Sequence, residues 1–165
     1  MPSLMHELDA LSCVSPAAFR ATMRRFASTV SVITSGYGTK LNGMTATAVC
    51  SVSADPPSIL IVVNQANRSH ELIRQSGAYT VNVLSAAQEH LATHFASSAI
   101  DAFGLIPHSL GLNGCPVIDN CASVLECVVE SQIESGTHSI FIGRVVASGE
   151  SDRLPLLYFN SSFRN

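Results

Sequence analysis

Charged residues are scarce in this chain. Asp, Glu, Lys and Arg make up 13% of its 165 residues and hydrophobic residues 47%, whereas an ordinary globular domain is about a quarter charged. A surface so poor in charge is expected to be partly covered, and self-association is the simplest cover. The net charge of −3 and the pI near 6.0 argue against a nucleic-acid-binding protein.

Long apolar runs and paired cysteine motifs are also missing. No apolar run approaches the roughly 18 residues of a membrane span, and the acidic N-terminal stretch does not read as a signal peptide. The five cysteines form an odd set without a C-x-x-C pair, and their spacing does not match zinc ligation. We therefore expect a cytoplasmic protein with reduced, mostly buried thiols. The cysteines are Cys13, Cys50, Cys115, Cys121 and Cys127.

Several catalytic and nucleotide-binding motifs are absent. The chain has no G-x-S-x-G elbow of a serine hydrolase, no P-loop and no strand-linked G-x-G-x-x-G of a Rossmann dinucleotide site. His90 and His94 are four residues apart on a predicted helix, a spacing that can bind metal. No H-E-x-x-H pattern or carboxylate cluster supports them, so a surface helix is the better interpretation and no metal site is predicted.

What the chain does have is an uncharged stretch, Leu41–Ser53, read as a turn at Asn42-Gly43 followed by one strand. Alternation places small, mostly apolar side chains on one face and mostly hydroxyls on the other. Small residues let a flat ligand approach the backbone, and hydroxyls can donate to its oxygens. A buried strand whose hydroxyls bond the neighbouring backbone is the alternative. We expect the hydroxyl face, with Thr45, Thr47 and Ser51, to meet the ligand.

Elsewhere strand patterns dominate, in segments 29–35, 58–63, 79–84, 122–134, 139–147 and 154–159. Short helices are predicted after the caps Ser15 and Ser85 and at 70–75. The first, with Phe19 and Met23 on one face, is expected to pack on the domain. Residues 96–114 are expected to be irregular. The pattern predicts a single mainly antiparallel β-barrel domain over 1–165, with helices at its rim and 1–15 as an N-terminal extension.

Two further features suggest a site. The polar loop 64–69 opens a helix, so free N–H groups beside Asn67, Arg68 and Ser69 form a candidate anion site, with simple helix capping as the alternative. His138 follows Gly136-Thr137 and enters a strong strand, where an imidazole can be aimed at a pocket mouth. A purely structural or exposed histidine is the competing interpretation. These residues by themselves do not define a reaction.

A set of motifs, in order, resembles the flavin reductase-like family, the small reductase components of two-component flavin-dependent monooxygenases. The segments that carry the resemblance, between Phe19 and Phe163, are F-R-A-T-M-R-R-F-A-S-T-V-S-V-I-T, N-G-M-T-A-T-A-V-C-S-V-S-A-D-P-P, N-R-S-H-E-L-I, Y-T-V-N-V-L-S, P-V-I-D-N-C-A-S-V-L-E-C, G-T-H-S-I-F-I-G-R-V and P-L-L-Y-F.

The resemblance implies an FMN-binding split β-barrel with Greek-key, antiparallel strands and a few flanking helices, usually a homodimer. It implies hydride transfer from NADH or NADPH to FMN or FAD, and a separate oxygenase that receives the reduced flavin. It places His138 by the nicotinamide. The resemblance also assigns the flavin-binding residues. Those expected to hold the flavin ring and ribityl chain are Thr45, Ala46, Thr47, Ala48, Ser51, Val52 and Ser53. Asn67, Arg68 and Ser69 are expected to hold the phosphate end, and Tyr158 is expected to lie near the flavin.

The chain departs from the family pattern at two positions of the site. Thr137 stands where Asp is common, so a carboxylate beside His138 is missing, and Thr47 stands where Asn is frequent. Two alternatives to a flavin reductase stay open. One is a split-barrel flavoprotein that keeps FMN and acts on its own substrate. The other, which Thr137 makes conceivable, is a non-catalytic flavin-binding module.

Overall fold

The structure is a computed structural model, and it describes residues 11–97 and 102–164. The helices are α1 (Pro16–Met23), α2 (Arg68–Ser76) and α3 (Glu89–Ala96), the last preceded by a 3₁₀ turn, Ala86–Gln88. The strands are β1 (Ser28–Thr29), β2 (Ser31–Tyr37), β3 (Lys40–Ala46), β4 (Val49–Ala54), β5 (Pro57–Asn64), β6 (Ala78–Val83), β7 (His108–Leu110), β8 (Pro116–Ile118), β9 (Ser123–Ser135), β10 (His138–Glu150), β11 (Leu157–Phe159) and β12 (Ser162–Arg164).

Seven strands form one antiparallel sheet in the order β3-β2-β6-β9-β10-β5-β4. The two edge strands are consecutive in the chain and separated only by Thr47-Ala48. Because only two residues separate β3 from β4, the two edges of the sheet come together at this corner, although no ladder joins β3 to β4 among the described residues. This confirms the predicted antiparallel, mainly β architecture with short flanking helices.

The stretch 41–53 was predicted as a single strand after an Asn42-Gly43 turn, and this prediction was wrong. The turn lies at Gly38-Thr39, and Asn42 and Gly43 are buried inside β3, paired with Ser35 and Thr34 of β2. Asn-Gly favours a hairpin turn locally, but here the strand pairing and the helices that cover β3 override that preference. The stretch supplies two strands on opposite edges of the sheet.

The core has two parts, one on each face of the sheet. Alternation along β2 sends Val32 into one cluster with Leu91 and Phe95 of α3, and Ile33 into the other with Met44, Ala46 and further residues of the barrel interior. Thr45 therefore faces α3, opposite Met44 and Ala46. The predicted separation of the two faces is confirmed for β3.

The N-terminal helix begins after the Ser15 cap, as predicted, and Ser15 Oγ accepts from Ala18 N at 3.2 Å. It buries none of its residues, so the expectation that it packs on the domain was wrong. Phe19 and Met23 are 57% and 43% exposed. Most of the predicted N-terminal extension, residues 1–10, lies outside the described part of the chain.

The segment 96–114 was predicted to be irregular, and this was wrong for its C-terminal part. His108–Leu110 forms β7, which pairs with β8 in a two-stranded sheet. Asn113 holds this hairpin on the barrel, because its Nδ2 donates to Tyr79 O at 2.9 Å. Residues 98–101 lie outside the described part of the chain. Among the described helices none is long and apolar enough to cross a membrane.

Candidate functional site

An open cavity lies where the edge strand β3, helix α3 and the C-terminal hairpin β11–β12 meet. We call it the β3–α3 cavity, and its volume is about 440 Å³. Within the described residues its walls carry small or hydroxyl side chains and two aromatic rings, and no charged group. The lining residues are Val30, Thr45, Ala46, Thr47, Ala92, Thr93, Ala96, Tyr158, Ser161, Ser162 and Phe163.

The two β3 threonines predicted to meet a ligand have different roles here. The Thr45 hydroxyl donates to Ala92 O at 2.7 Å, so its hydrogen holds α3 against β3. Thr47 follows the end of the strand and is exposed, and no hydrogen bond of its hydroxyl is recorded within the described residues. Thr47 is therefore the hydroxyl of this pair whose hydrogen remains for a ligand.

The C-terminal hairpin forms the opposite wall of the β3–α3 cavity. Tyr158 and Phe163 meet edge to face with ring centroids 5.5 Å apart. The tight turn between them places Asn160 and Ser161 at φ of 50° and 61°, and Asn160 N donates to Arg24 O at 3.0 Å. The turn therefore anchors the tail at the end of α1. The sequence nominated Tyr158, whereas Phe163 and the turn serines were missed.

Helix α3 contributes three further residues that the sequence analysis did not nominate. Ala92, Thr93 and Ala96 recur at the spacing of one helical face. That spacing of small residues was the available signal, but the burial of Leu91 and Phe95 on the neighbouring face obscured it.

A second, smaller cavity of about 160 Å³ lies beside the first, and both are lined by Ala96. We call it the Arg68 cavity. It lies between β3, the start of α2 and the end of α3. Its lining residues are Asn42, Gly43, Ala66, Asn67, Arg68, His94, Phe95, Ala96, Ser97 and Ala102.

The predicted anion-site residues divide into lining and support. Asn67 is the N-cap of α2, because its Oδ1 accepts from Ser69 N at 2.9 Å, so the capping interpretation is correct for this side chain. Ser69 is fully buried, and its hydroxyl accepts from Asn42 Nδ2 at 2.8 Å. Arg68 is exposed at the cavity. Among the described residues no carboxylate forms a salt bridge with its guanidinium.

A glycine fixes the distance between β3 and α3 at the Arg68 cavity. A Cβ on Gly43 would lie 2.6 Å from Cδ1 and Cε1 of Phe95, and 3.2 Å from Cγ1 of Val32. Only a residue without a side chain lets the Phe95 ring pack so closely on the strand. Phe95 is 4% exposed, so this contact sets the position of the C-terminal half of α3.

His138 lies apart from both cavities, at the first position of β10 after the Gly136-Thr137 turn. Its Nδ1 is 2.9 Å from Thr137 Oγ1, so a hydroxyl occupies the place beside the ring where a carboxylate is missing. Gln65 N donates to Thr137 O at 3.0 Å. That bond ties this turn to the loop that leads into Arg68.

The remaining nominated residues lie on or before β4. Ala48, Ser51, Val52 and Ser53 are exposed and line neither cavity. The Ser53 hydroxyl caps the turn to β5, because it accepts from Asp55 N at 3.1 Å. The structure thus brings Thr45, Ala46, Thr47 and Tyr158 together, and leaves the β4 residues on an open surface.

The shifted pKa values lie in the core and not in the cavities. Burial raises the pKa of the Cys115 thiol to about 11 and those of Cys121 and Cys127 to about 12. Burial also raises the pKa of Tyr79, whose hydroxyl donates to Ile59 O at 2.9 Å. These four groups therefore stay neutral near pH 7 and serve the packing, and none of them is an activated nucleophile.

The fold and its two adjoining cavities define a class of protein: a split antiparallel β-barrel with an open cleft at its rim. Comparison with known proteins gives the family. Residues 23–165 match the model of the flavin reductase like domain. The chain belongs to the flavin reductase-like family.

Individual relatives agree with this assignment. A "probable flavin reductase" of Rhizobium meliloti (strain 1021) is 38% identical over 133 residues, which are 80% of this chain but 43% of that longer protein. The reductase component of a 4-nitrophenol 4-monooxygenase/4-nitrocatechol 2-monooxygenase of Rhodococcus opacus is 32% identical over 94% of this chain and 83% of its own length. The solved NADH:FAD oxidoreductase SgcE6 of Streptomyces globisporus, in complex with NAD and FAD fragments, superposes with a TM-score of 0.87 and 33% identity, over 94% and 96% of the two chains.

Proposed function

We propose that this protein is an NADH-dependent flavin reductase that reduces FMN or FAD and supplies the reduced flavin to a separate oxygenase. The observation that carries the proposal is the uncharged β3–α3 cavity adjoining the Arg68 cavity along Ala96. An extended ligand with a flat ring at one end and a phosphate at the other fits this pair. The relatives support the nicotinamide, the flavin and the oxygenase, because one is the reductase component of a nitrophenol monooxygenase and another is an NADH:FAD oxidoreductase.

The lining residues fit a flavin by their size and donors. Ala46, Ala92 and Ala96 leave room for a planar ring beside the backbone, and Thr47 offers a hydroxyl to its polar edge. At the other end Arg68 supplies a guanidinium that suits a phosphate group. Ser69, being buried, would act by holding Asn42 at the wall and not by direct contact in a single chain.

A bound flavin supplies the redox chemistry, because it accepts hydride from the reduced nicotinamide. The residues of the chain then serve to bind the flavin and the nicotinamide and to orient their rings. Tyr158 and Phe163 shield one side of the β3–α3 cavity from water. His138 is proposed to orient the nicotinamide from the β9–β10 turn, with Thr137 Oγ1 fixing the ring through Nδ1. Ser51, Val52 and Ser53 are proposed to extend the flavin site along β4.

The test of the function is oxidation of NADH and NADPH with FMN, FAD or riboflavin added in turn. Turnover that depends on added FMN or FAD, with NADH preferred, is the expected result. Flavin that remains bound through purification without turnover of added flavin would contradict the reductase and favour a flavoprotein acting on its own substrate. Stoichiometric flavin without any nicotinamide oxidation would favour a binding module.

The role of His138 is tested by His138→Ala. We expect slower hydride transfer in stopped-flow reduction, by about tenfold or more, with the Kd for flavin changed less than about twofold. His108→Ala is a matched control, because His108 lies in β7 and packs on Phe103 away from the turn. An unchanged rate of flavin reduction in His138→Ala would remove the histidine from the mechanism.

We also propose that the protein is a homodimer that covers the exposed apolar face of the N-terminal segment. Leu11, Val14, Phe19, Met23 and Phe26 are 43–71% exposed, and clustered apolar side chains of this kind mark an interface. The double variant Phe19→Glu/Met23→Glu is expected to yield monomers in sedimentation velocity, whereas Arg20→Glu on the same helix leaves the mass unchanged. A monomeric wild-type protein would contradict the proposal.

The proposed location is the cytoplasm, and the single domain is proposed to span residues 1–165. The support for the location is that Cys115, Cys121 and Cys127 are buried as free thiols. Cell fractionation checks it. Recovery of the protein in an oxidising compartment would contradict it. A single cooperative unfolding transition is expected for one domain.

A further inference from the structure

A histidine of α3 lines the Arg68 cavity together with Arg68 of α2. We propose that the imidazole of His94, through Nδ1, is a binding residue for the phosphate group of the flavin, acting together with Arg68. The inference rests on the flavin reductase function proposed above. It adds a contact from α3 that makes the site selective for phosphorylated flavins over riboflavin.

The position of His94 is fixed by its neighbour in the chain. Phe95 is locked against Gly43 of β3, so the last turn of α3 cannot slide along the strand. The His94 ring packs edge-on against the Phe95 ring at a centroid distance of 5.0 Å. His94 is half-buried and lines the Arg68 cavity, while Arg68 enters the same cavity from the first position of α2. Two helices thus present basic side chains to one small space.

The hydrogen bonds of His94 show which ring nitrogen remains for a ligand. Its Nε2 lies 2.8 Å from the carbonyl oxygen of Ala102. A carbonyl oxygen can only accept, so Nε2 carries the hydrogen of that bond. No partner of Nδ1 is recorded within the described residues. A phosphate oxygen only accepts hydrogen bonds, so a contact at this nitrogen requires the ring that carries a hydrogen on both nitrogens, in which Nδ1 also donates.

The electrostatics of the described lining favour an anion. Two basic side chains line the cavity, without a carboxylate among the described lining residues. Arg68 lacks a salt bridge to any described acid. His90, one turn earlier on α3, faces a different cavity with Asp119 and Arg153. It is therefore a matched control on the same helix.

The test separates the two ring nitrogens. In His94→Gln the side-chain amide reaches the Nε2 position and keeps a donor for Ala102 O, while Nδ1 is lost. In His94→Asn the amide replaces Nδ1, and the bond to Ala102 is lost. The Kd values for FMN and riboflavin are measured by fluorescence titration for both variants, for Arg68→Gln and for His90→Gln. The KM for NADH is measured in parallel.

The expected result is that His94→Gln raises the Kd for FMN about tenfold and leaves the Kd for riboflavin within about twofold. His94→Asn and His90→Gln stay near wild type for both flavins. Arg68→Gln also weakens FMN selectively. The expected pattern assigns Nδ1 to the phosphate, because a structural role through Ala102 would instead make His94→Asn the worse variant.

Three results would overturn the inference. Equal losses for FMN and riboflavin in His94→Gln would mean that His94 only shapes the cavity. Unchanged FMN binding would mean that Nδ1 has no contact with the phosphate, and a raised KM for NADH in that case would place a dinucleotide phosphate there instead. A wild-type protein that neither binds flavin nor oxidises NADH would defeat the proposed function itself, which is a separate outcome.

Discussion

The edge strands β3 and β4 come from one uninterrupted stretch of similar composition, yet their surroundings differ. β3 is covered by α2 and α3, and Asn42, Gly43 and Met44 are buried. In β4 every residue from Cys50 to Ala54 is exposed, and in the described part of the chain its one strand partner is β5. Small uncharged side chains therefore serve close packing in β3 and leave an open surface in β4. Composition alone does not decide between these uses.

The largest effect is expected in the reactivity of two thiols, the exposed Cys50 of β4 and the buried Cys127 of β9. In a Cys13→Ser background, Cys50 is expected to react promptly with a disulfide reagent at pH 8. Burial raises the pKa of Cys127 from 9.0 to about 12, so its thiolate fraction is about a thousandfold smaller than at the ordinary value. One fast thiol in the native protein and four after urea addition are the expected counts.

The raised pKa of Cys127 also makes the free energy of unfolding depend on pH. Above pH 9 an unfolded Cys127 loses the proton that the folded thiol keeps up to about pH 12. The folded state then binds more protons, so the free energy of unfolding decreases as the pH rises through this range. In the thiol-labelling experiment described above, fast reaction of Cys127 in the native protein would show that the barrel interior is open, contrary to the burial of this residue.

The second effect tests the close packing of β3. Gly43→Ala places a methyl group against the Phe95 ring, and the free energy of unfolding is expected to fall by about 1–3 kcal/mol because the buried ring must move. Urea denaturation measures this. Gly149→Ala in β10 is the matched control, because no atom lies within 4 Å of its added Cβ. Equal stabilities of the two variants would mean that α3 is not held against β3 by this contact.

Thr45 and Thr47, near the connection between β3 and β4, are expected to respond differently to substitution by Val, and this third effect is smaller. Thr45→Val removes the donor to Ala92 O and is expected to cost about 0.5–1.5 kcal/mol of stability, because a partly buried hydrogen bond between β3 and α3 is lost. Thr47→Val should change the stability by less than about 0.5 kcal/mol, and it should raise the Kd for FMN several-fold. The reverse assignment, with Thr45 carrying the flavin effect alone, would contradict the proposed orientation of the site.

The smallest effect is expected on β4 itself. Ser51→Ala should leave the free energy of unfolding within about 0.5 kcal/mol of the wild-type value, since the side chain is exposed. It should raise the Kd for FMN about twofold to threefold if β4 extends the flavin site as proposed. Titration of Ser51→Ala beside wild type measures the change. Identical Kd values would confine the flavin to the β3 side of the corner.

Most strands were predictable because alternation and β-branched runs are local signals. The long strands β9 and β10 and the continuous apolar strand β5 were anticipated within a few residues. The turn predicted at Asn42-Gly43 was wrong because the dipeptide favours a turn locally, whereas in the structure the Asn42 amide donates to Ser69 Oγ, 27 positions away. β7 was missed because three residues carry little periodicity, and its pairing with β8 spans the loop at Asn113.

Of the candidate site, the sequence nominated the segments better than the individual contacts. Arg68 lines the Arg68 cavity and Thr47 the β3–α3 cavity, whereas Ser69 is buried and the β4 residues lie outside both. His94 was interpreted as part of a surface pair. Its approach to Arg68 depends on how α3 packs on β3, and helical spacing carries no information about that packing.

The sequence by itself determined a poorly charged, mainly antiparallel β protein, because composition and period-two patterns act residue by residue along the chain. Motif order further determined its family. Only the tertiary structure decided that one stretch forms both edges of the sheet, and which hydroxyls remain for a ligand. Those outcomes depend on contacts between residues far apart in the chain, such as Phe95 on Gly43 and Thr45 on Ala92. Local propensity cannot encode such contacts, because each becomes favourable only once the partner element is in place.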